Sequence, residues 1–345
     1  MTGVAVLGPW PGSDLHEAQV TAIGALGDLP EGLMGLPPMV RLEEGGPWAE
    51  PVARGAALLT EMAAEVGPHG WKLADRPGRD LERVHAAARE AMDVLAVAAY
   101  RYEGPLVVSV PGPWTLAATL YLARGDRVLS DTGAVRELIA SLGDGLGSLL
   151  GSIASAVPGA RPVVMLREPM IDAVLDGAVL DFSGHGRLWS VPHEIVTAGV
   201  SAVVTAAREA GASQVVVHTG ESPRRGALSV AGASGGDAVA VPSSSLGSAQ
   251  WEQLAGLVEE GIGLWFAVGG REGRIDPTGA ARRVAGPWTA VGLPAAGLSQ
   301  VVVHADLAGR VGNGHNGRGD LADVRPVLAA TTEVAARLAE QAAGA

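Results

Sequence analysis

Several short apolar runs in this chain end in residues that can carry charge, exchange protons or stack on a ligand. Val4–Leu7 is followed by Gly8-Pro9-Trp10-Pro11-Gly12, and Leu106–Val110 by Pro111-Gly112-Pro113-Trp114-Thr115. Val163–Leu166 is followed by Arg167-Glu168-Pro169, Val215–His218 by Thr219-Gly220-Glu221, and Val301–His304 by Ala305-Asp306. His218, His304, Glu168 and Asp306 suit acid–base work, because imidazole titrates near neutrality and an apolar setting shifts a carboxyl toward it. His218, Glu221, His304 and Asp306 also form a nitrogen and oxygen donor set of the kind that holds zinc, iron or manganese, with His218 as its first ligand. Arg167 suits an anionic substrate group, since its guanidinium pairs with carboxylate or phosphate. It is equally suited to pairing with a rim carboxylate such as Glu168 and holding structure. Trp10 and Trp114 could wall a flat ligand such as a pterin, with Glu221 nearby on the substrate, or could pack beneath the rim.

These residues need a scaffold that brings run ends to one place. The runs already named, together with Met39–Leu42, Ala238–Val241 and Leu264–Val268, give eight strand candidates. Most are continuously apolar, as strands covered on both faces should be. Helical stretches separate them: Ala53–Val66, Asp80–Tyr100, Thr132–Val157, Pro192–Ala210, Ser248–Glu260 and the closing Asp320–Ala343. The alternation predicts a (β/α)8 TIM barrel, an α/β fold in one domain over residues 1–345, with its working side chains at strand C-termini. Gly226–Gly247 reads as a surface excursion around one short strand. Arg310–Asp320 reads as a glycine-rich loop over the mouth, either mobile surface or a backbone anion site.

Composition narrows the partners. The net charge of −12, from 25 basic and 37 acidic residues, disfavours nucleic acid and anionic membrane, both of which need a basic footprint. A small-molecule substrate is the expected partner. The absence of cysteine excludes disulfides, thiolate metal sites and thiol nucleophiles. No run approaches the ~18 uninterrupted apolar residues of a membrane span, and Met1-Thr2-Gly3-Val4 lacks a signal-peptide layout, so the expected location is cytoplasmic.

The ordered set Leu7-Gly8-Pro9-Trp10-Pro11, Gly112-Pro113-Trp114-Thr115-Leu116, Glu168-Pro169, His218-Thr219-Gly220 and Leu307-Ala308-Gly309 resembles the barrel of cobalamin-independent methionine synthase. Gly70–Asp80 and Gly112–Asp131 resemble the short, single-barrel actinobacterial members of that family. The resemblance implies the methionine synthase and uroporphyrinogen decarboxylase superfamily fold. In that family a zinc ion, held by one histidine, one acidic residue and two cysteines, binds the substrate thiol as a thiolate for attack on a methylfolate. By that resemblance His218 matches the histidine, while Gly220, Pro242 and Ala305 stand where the other three ligands belong. Pro9 replaces the family serine that helps hold the amino-acid carboxylate. Arg167 replaces an acid that grips the substrate ammonium, which favours an anion instead.

The expected function is therefore a diverged transferase that moves a methyl or other one-carbon group to a small acceptor other than homocysteine. A methylfolate, or a metal ion on nitrogen and oxygen ligands, is the cofactor to test. The alternatives are a non-catalytic ligand-binding homologue and metal-free lyase or decarboxylase chemistry.

Overall fold

The computed structural model describes residues 1–42, 46–269, 274–307 and 320–344. Ala308, Gly309 and residues 310–319 of the expected mouth loop lie outside the described residues. The first half runs β1 (Thr2–Leu7), α1 (Leu15–Gly27), β2 (Leu33–Gly35), α2 (Pro51–Leu58), β3 (Ala63–Gly67), β4 (Gly70–Ala74), α3 (Arg79–Ala98), β5 (Gly104–Pro111) and α4 (Pro113–Thr119). There follow α5 (Thr132–Ala156), β6 (Ala160–Arg167), α6 (Ile171–Leu175), α7 (His193–Glu209), β7 (Gln214–His218), α8 (Arg225–Ala233) and β8 (Ala238–Pro242). The chain ends with α9 (Ser248–Glu259), β9 (Gly263–Ala267), α10 (Pro277–Ala290), β10 (Val302–Asp306) and α11 (Val324–Ala343).

Eight parallel strands form one sheet in the order β2-β1-β10-β9-β8-β7-β6-β5. The ring closes between its two ends through a segment that is not a regular strand. Val107 N–H donates to the Pro37 carbonyl at 2.8 Å, and Met39 N–H donates to the Val107 carbonyl at 2.9 Å. Pro37 and Pro38 have no N–H to give a ladder, so the second strand is cut short at Gly35. This corrects the expected strand at Met39–Leu42, which is only an extended tail of that element. Trp10 N–H donates to the Arg41 carbonyl at 2.6 Å and ties the tail to the end of β1.

Two other expectations change. The helix expected over Ala53–Val66 stops at Leu58, because Glu61 adopts a left-handed φ of 58°, and Ala63–Gly67 instead pairs with Gly70–Ala74 as a hairpin. The expected excursion after Gly226 contains α8, which buries Ala227, Leu228, Val230 and Ala231. Small residues hid its apolar stripe. By length and composition α5 could cross a membrane. Its stripe of Leu138, Leu142, Leu146, Leu150 and Ile153 is instead buried in the barrel's outer layer.

Gly145 lets α5 lie against the end of α2. A Cβ at that position would stand 1.6 Å from the Leu58 carbonyl oxygen. Alanine in a helix interior normally gains about 1 kcal/mol over glycine. Here the clash reverses the sign, and Gly145→Ala should lower unfolding free energy by about 2 kcal/mol in a denaturant titration.

The strands alternate two faces. Ala5, Leu7, Val107, Met165, Val216, Ala240, Trp265 and Val302 pack among themselves and fill the barrel interior. Val6, Val108, Leu166, Val217, Val241 and Val303 pack with helix residues outside. Side chains two apart share a face. Arg167 therefore follows Met165 inward, His218 follows Val216, and His304 and Asp306 follow Val302.

Candidate functional site

The register places these four residues near one rim. Arg167 is opposite both Pro111 and His218, and Asp306 is opposite Leu7 at the end of β1. Arg167 Nη2 forms an ion pair with Asp306 Oδ2. Since β6 and β10 are separated by β7, β8 and β9, that pair spans the barrel mouth. His218 and His304 lie beside it with ring centroids 6.3 Å apart, edge to face, and the Trp265 ring is tilted against His304 at 6.2 Å. Thus four of the expected site residues, His218, His304, Arg167 and Asp306, lie together at one rim.

His218 is almost wholly buried. Burial, then the Arg167 charge and His304, hold it well below the usual imidazole range, with Asp306 opposing. Gly220 N–H donates to its Nδ1 at 3.2 Å. A neutral ring that accepts at Nδ1 carries its proton on Nε2. The residue is thus a neutral hydrogen-bond donor toward the mouth. A proton-accepting role would require the tautomer that Gly220 disfavours.

The other expected residues are placed elsewhere. Glu168 follows the outward face, fully buried, and reaches α4. Its Oε1 accepts Trp114 N–H at 2.9 Å, and its Oε2 accepts Thr115 N–H at 2.7 Å and the Thr115 hydroxyl at 2.6 Å. It clamps the start of α4 and pairs with no arginine among the described residues. This corrects both readings of Glu168 as a mouth acid and as a rim ion pair. Burial pushes its carboxyl up to about 7, against the pull of those three donors.

Trp114 is buried, and its Nε1 donates to the Val196 carbonyl of α7 at 2.8 Å while the ring lies over Gly199. It joins helices and does not flank a ligand. Trp10 is likewise inaccessible, in the layer between strands and helices. Glu221 is exposed, and its backbone carbonyl accepts from the Ser245 hydroxyl.

Among the described residues no three histidine, aspartate or glutamate side chains gather to hold a metal ion. The positions matched to the family's other zinc ligands supply no donor either. Gly220 has a left-handed φ of 88°, and a Cβ there would press on Pro169 at 3.0 Å. Pro242 ends β8 without a donor, and Ala305 faces the helices, so even a cysteine at 305 would point away from His218. The residues present do not fit a cysteine-ligated zinc.

Sequence reasoning missed two basic groups. Arg41, on the tail of the second strand, and Arg54, on α2, lie close enough to Arg167 for its charge to disfavour theirs. Burial, then Arg54 and Arg167, hold Arg41 well below the usual arginine range; burial, then Arg167, lowers Arg54 to about 10. A signal for Arg41 was present, since it is the one charged residue inside the run Met39–Leu42. Nothing in the helical repeat of α2 marks Arg54.

No protein-family model matches the chain, and no curated protein matches it. Among solved structures it is similar to a B12-independent methionine synthase from Shewanella sp. W3-18-1 in complex with selenomethionine. That superposition has a TM-score of 0.58 at 11% identity, over 100% of this chain and 99% of the other. A putative fructose-1,6-biphosphate aldolase from Coccidioides immitis gives 0.33 at 13% identity, over 72% and 84% of the two chains. An endo-1,4-beta-mannanase from Eisenia fetida gives 0.35 at 16% identity, over 71% and 70%. The chain therefore has a TIM-barrel fold like that of a cobalamin-independent methionine synthase.

Proposed function

We propose that this chain is a cytoplasmic single-barrel enzyme that transfers a methyl or other one-carbon group to a small acceptor other than homocysteine. The observation that carries the proposal is the meeting of neutral His218, Arg167 and Asp306, on three inward-facing strand ends, at the mouth where barrel enzymes work. The methyl donor we propose is a methylfolate. The nitrogen-only donor at His218 offers no soft ligand set to activate a thiol, which is why homocysteine is set aside.

In this reading the His218 Nε2–H holds a substrate atom that gains electron density as the one-carbon group departs. A preorganised donor in a buried site is effective there, because it needs no rearrangement as charge develops. Arg167 supplies fixed positive charge for an anionic substrate, and Asp306 keeps its guanidinium oriented. A second reading, metal-free lyase or decarboxylase chemistry, is favoured by Arg167 at the mouth, which suits a carboxylate substrate.

Thermal denaturation with 5-methyltetrahydrofolate tests the first reading. A ligand at about 100 times its Kd adds roughly 2.7 kcal/mol to the folded state. The midpoint should rise for the native protein and rise much less for His218→Asn, which can still accept from Gly220 but cannot reach as far. No shift with any methylfolate would sink the transferase reading.

A further inference from the structure

A cavity of about 420 Å³ opens between the tail of the second strand, α2, α3 and the end of β5, outside the ring of inward-facing residues. Its walls are largely apolar, with Leu42, Trp48, Leu58, Val84, Val110 and Leu149 among them. Arg41 and Arg54 also line it. Arg54 Nη1 donates to the Ala49 carbonyl, while its Nε is buried with no hydrogen-bond partner. Neither arginine forms an ion pair with a carboxylate among the described residues. Glu90, the one acidic group on the wall among the described residues, is exposed to solvent.

Two guanidiniums at an apolar cavity, close enough to repel, are stabilised by an anion that accepts from both. We propose that this cavity binds a carboxylate carried on an apolar body, its head group held by Arg41 and Arg54 and its body lying between α2 and α3. An arginine fork matches a carboxylate's two oxygens, and the wall of aliphatic side chains and Trp48 gains from covering an apolar chain. A free phosphate would leave that wall wet. The proposal concerns this cavity alone and stands whether or not the mouth transfers one-carbon groups.

Isothermal titration of the full chain with octanoate, octan-1-ol and inorganic phosphate tests it. Octanoate should bind, and octan-1-ol and phosphate should bind at least tenfold more weakly. Arg54→Gln and Arg41→Gln should each weaken octanoate by about tenfold or more, the loss expected for a charge-assisted contact. Ala88→Phe, on an exposed and cavity-lining position of α3, keeps both arginines and fills the apolar part, so it should abolish octanoate binding. Failure of octanoate to bind overturns the proposal. So does binding that is unchanged in both arginine variants, unchanged in Ala88→Phe, or matched by octan-1-ol or phosphate.

Discussion

Glu168→Ala is expected to destabilise the fold by about 4 kcal/mol, because it leaves the Trp114 N–H, the Thr115 N–H and the Thr115 hydroxyl without their buried partner. The effect should be on stability first, since the carboxyl touches α4 and faces away from the mouth. A denaturant titration reads it directly, and a loss below about 1 kcal/mol would show that water or a neighbouring group replaces the clamp. Glu168→Gln should cost less at high pH than at low pH. The carboxyl's proton affinity is raised from 4.5 to about 7 by burial, so the folded state holds a proton that the unfolded state has already lost. That contribution is complete below pH 4.5 and disappears as pH rises through 7, a change of about 3 kcal/mol. The native protein's advantage over Glu168→Gln should shrink by that amount across the window. A constant difference would mean that the clamp is ionised throughout. The short contact between Thr115 Oγ1 and Glu168 serves either state, with the hydroxyl donating to the carboxylate or accepting from the acid.

His218 has the opposite sign. Its proton affinity is lowered in the folded state, so its contribution is present above pH 6.5 and is lost as pH falls below it. The two groups oppose each other as pH falls below 6.5.

Asp306→Asn is expected to cost about 3 kcal/mol, the usual penalty for removing one partner of a mostly buried ion pair. The reason is specific to this mouth. Without the Asp306 charge, Arg167 faces Arg41 and Arg54 with their mutual repulsion uncompensated. Added sulfate should therefore recover stability in Asp306→Asn far more than in the native protein, at matched ionic strength set with chloride. Equal recovery in both would show that Asp306 does not neutralise the cluster. The double variant Asp306→Asn with Arg167→Gln should regain much of the single variant's loss, because it removes the charge left behind.

Much of the barrel was legible because buried parallel strands write themselves as continuous apolar runs. Val163–Leu166 and Val215–His218 fall within β6 and β7. The second strand was not legible at Leu33–Gly35, where three residues carry no periodicity and two prolines follow. The hairpin at Ala63–Ala74 was hidden inside an alanine-rich stretch that reads as helix until Glu61 breaks it. At the site, the face taken by a residue at or just past the end of a run depends on strand parity. Arg167 and His218 share parity with interior residues and reach the mouth. Glu168, one step on, turns out to the helices. Trp114 reads as a ligand wall by type, yet its neighbours Val196 and Gly199 lie over eighty residues away in the chain and could not be anticipated.

The pairing of β1 with β10 has a consequence for how the protein is made. Gly3 finds its partner in Val302, so β1 leaves the ribosome long before the strand that pairs with it. Until then its sole strand neighbour is the three-residue β2, and Val4 and Val6 sit on an open parallel edge. Such an edge is a template for pairing with another chain, and closing it depends on contacts of the longest sequence separation, which form slowly. Nascent chains stalled before Val302 should therefore be the form of this protein that associates with itself or engages chaperones. The finished barrel, with that edge sealed, should not.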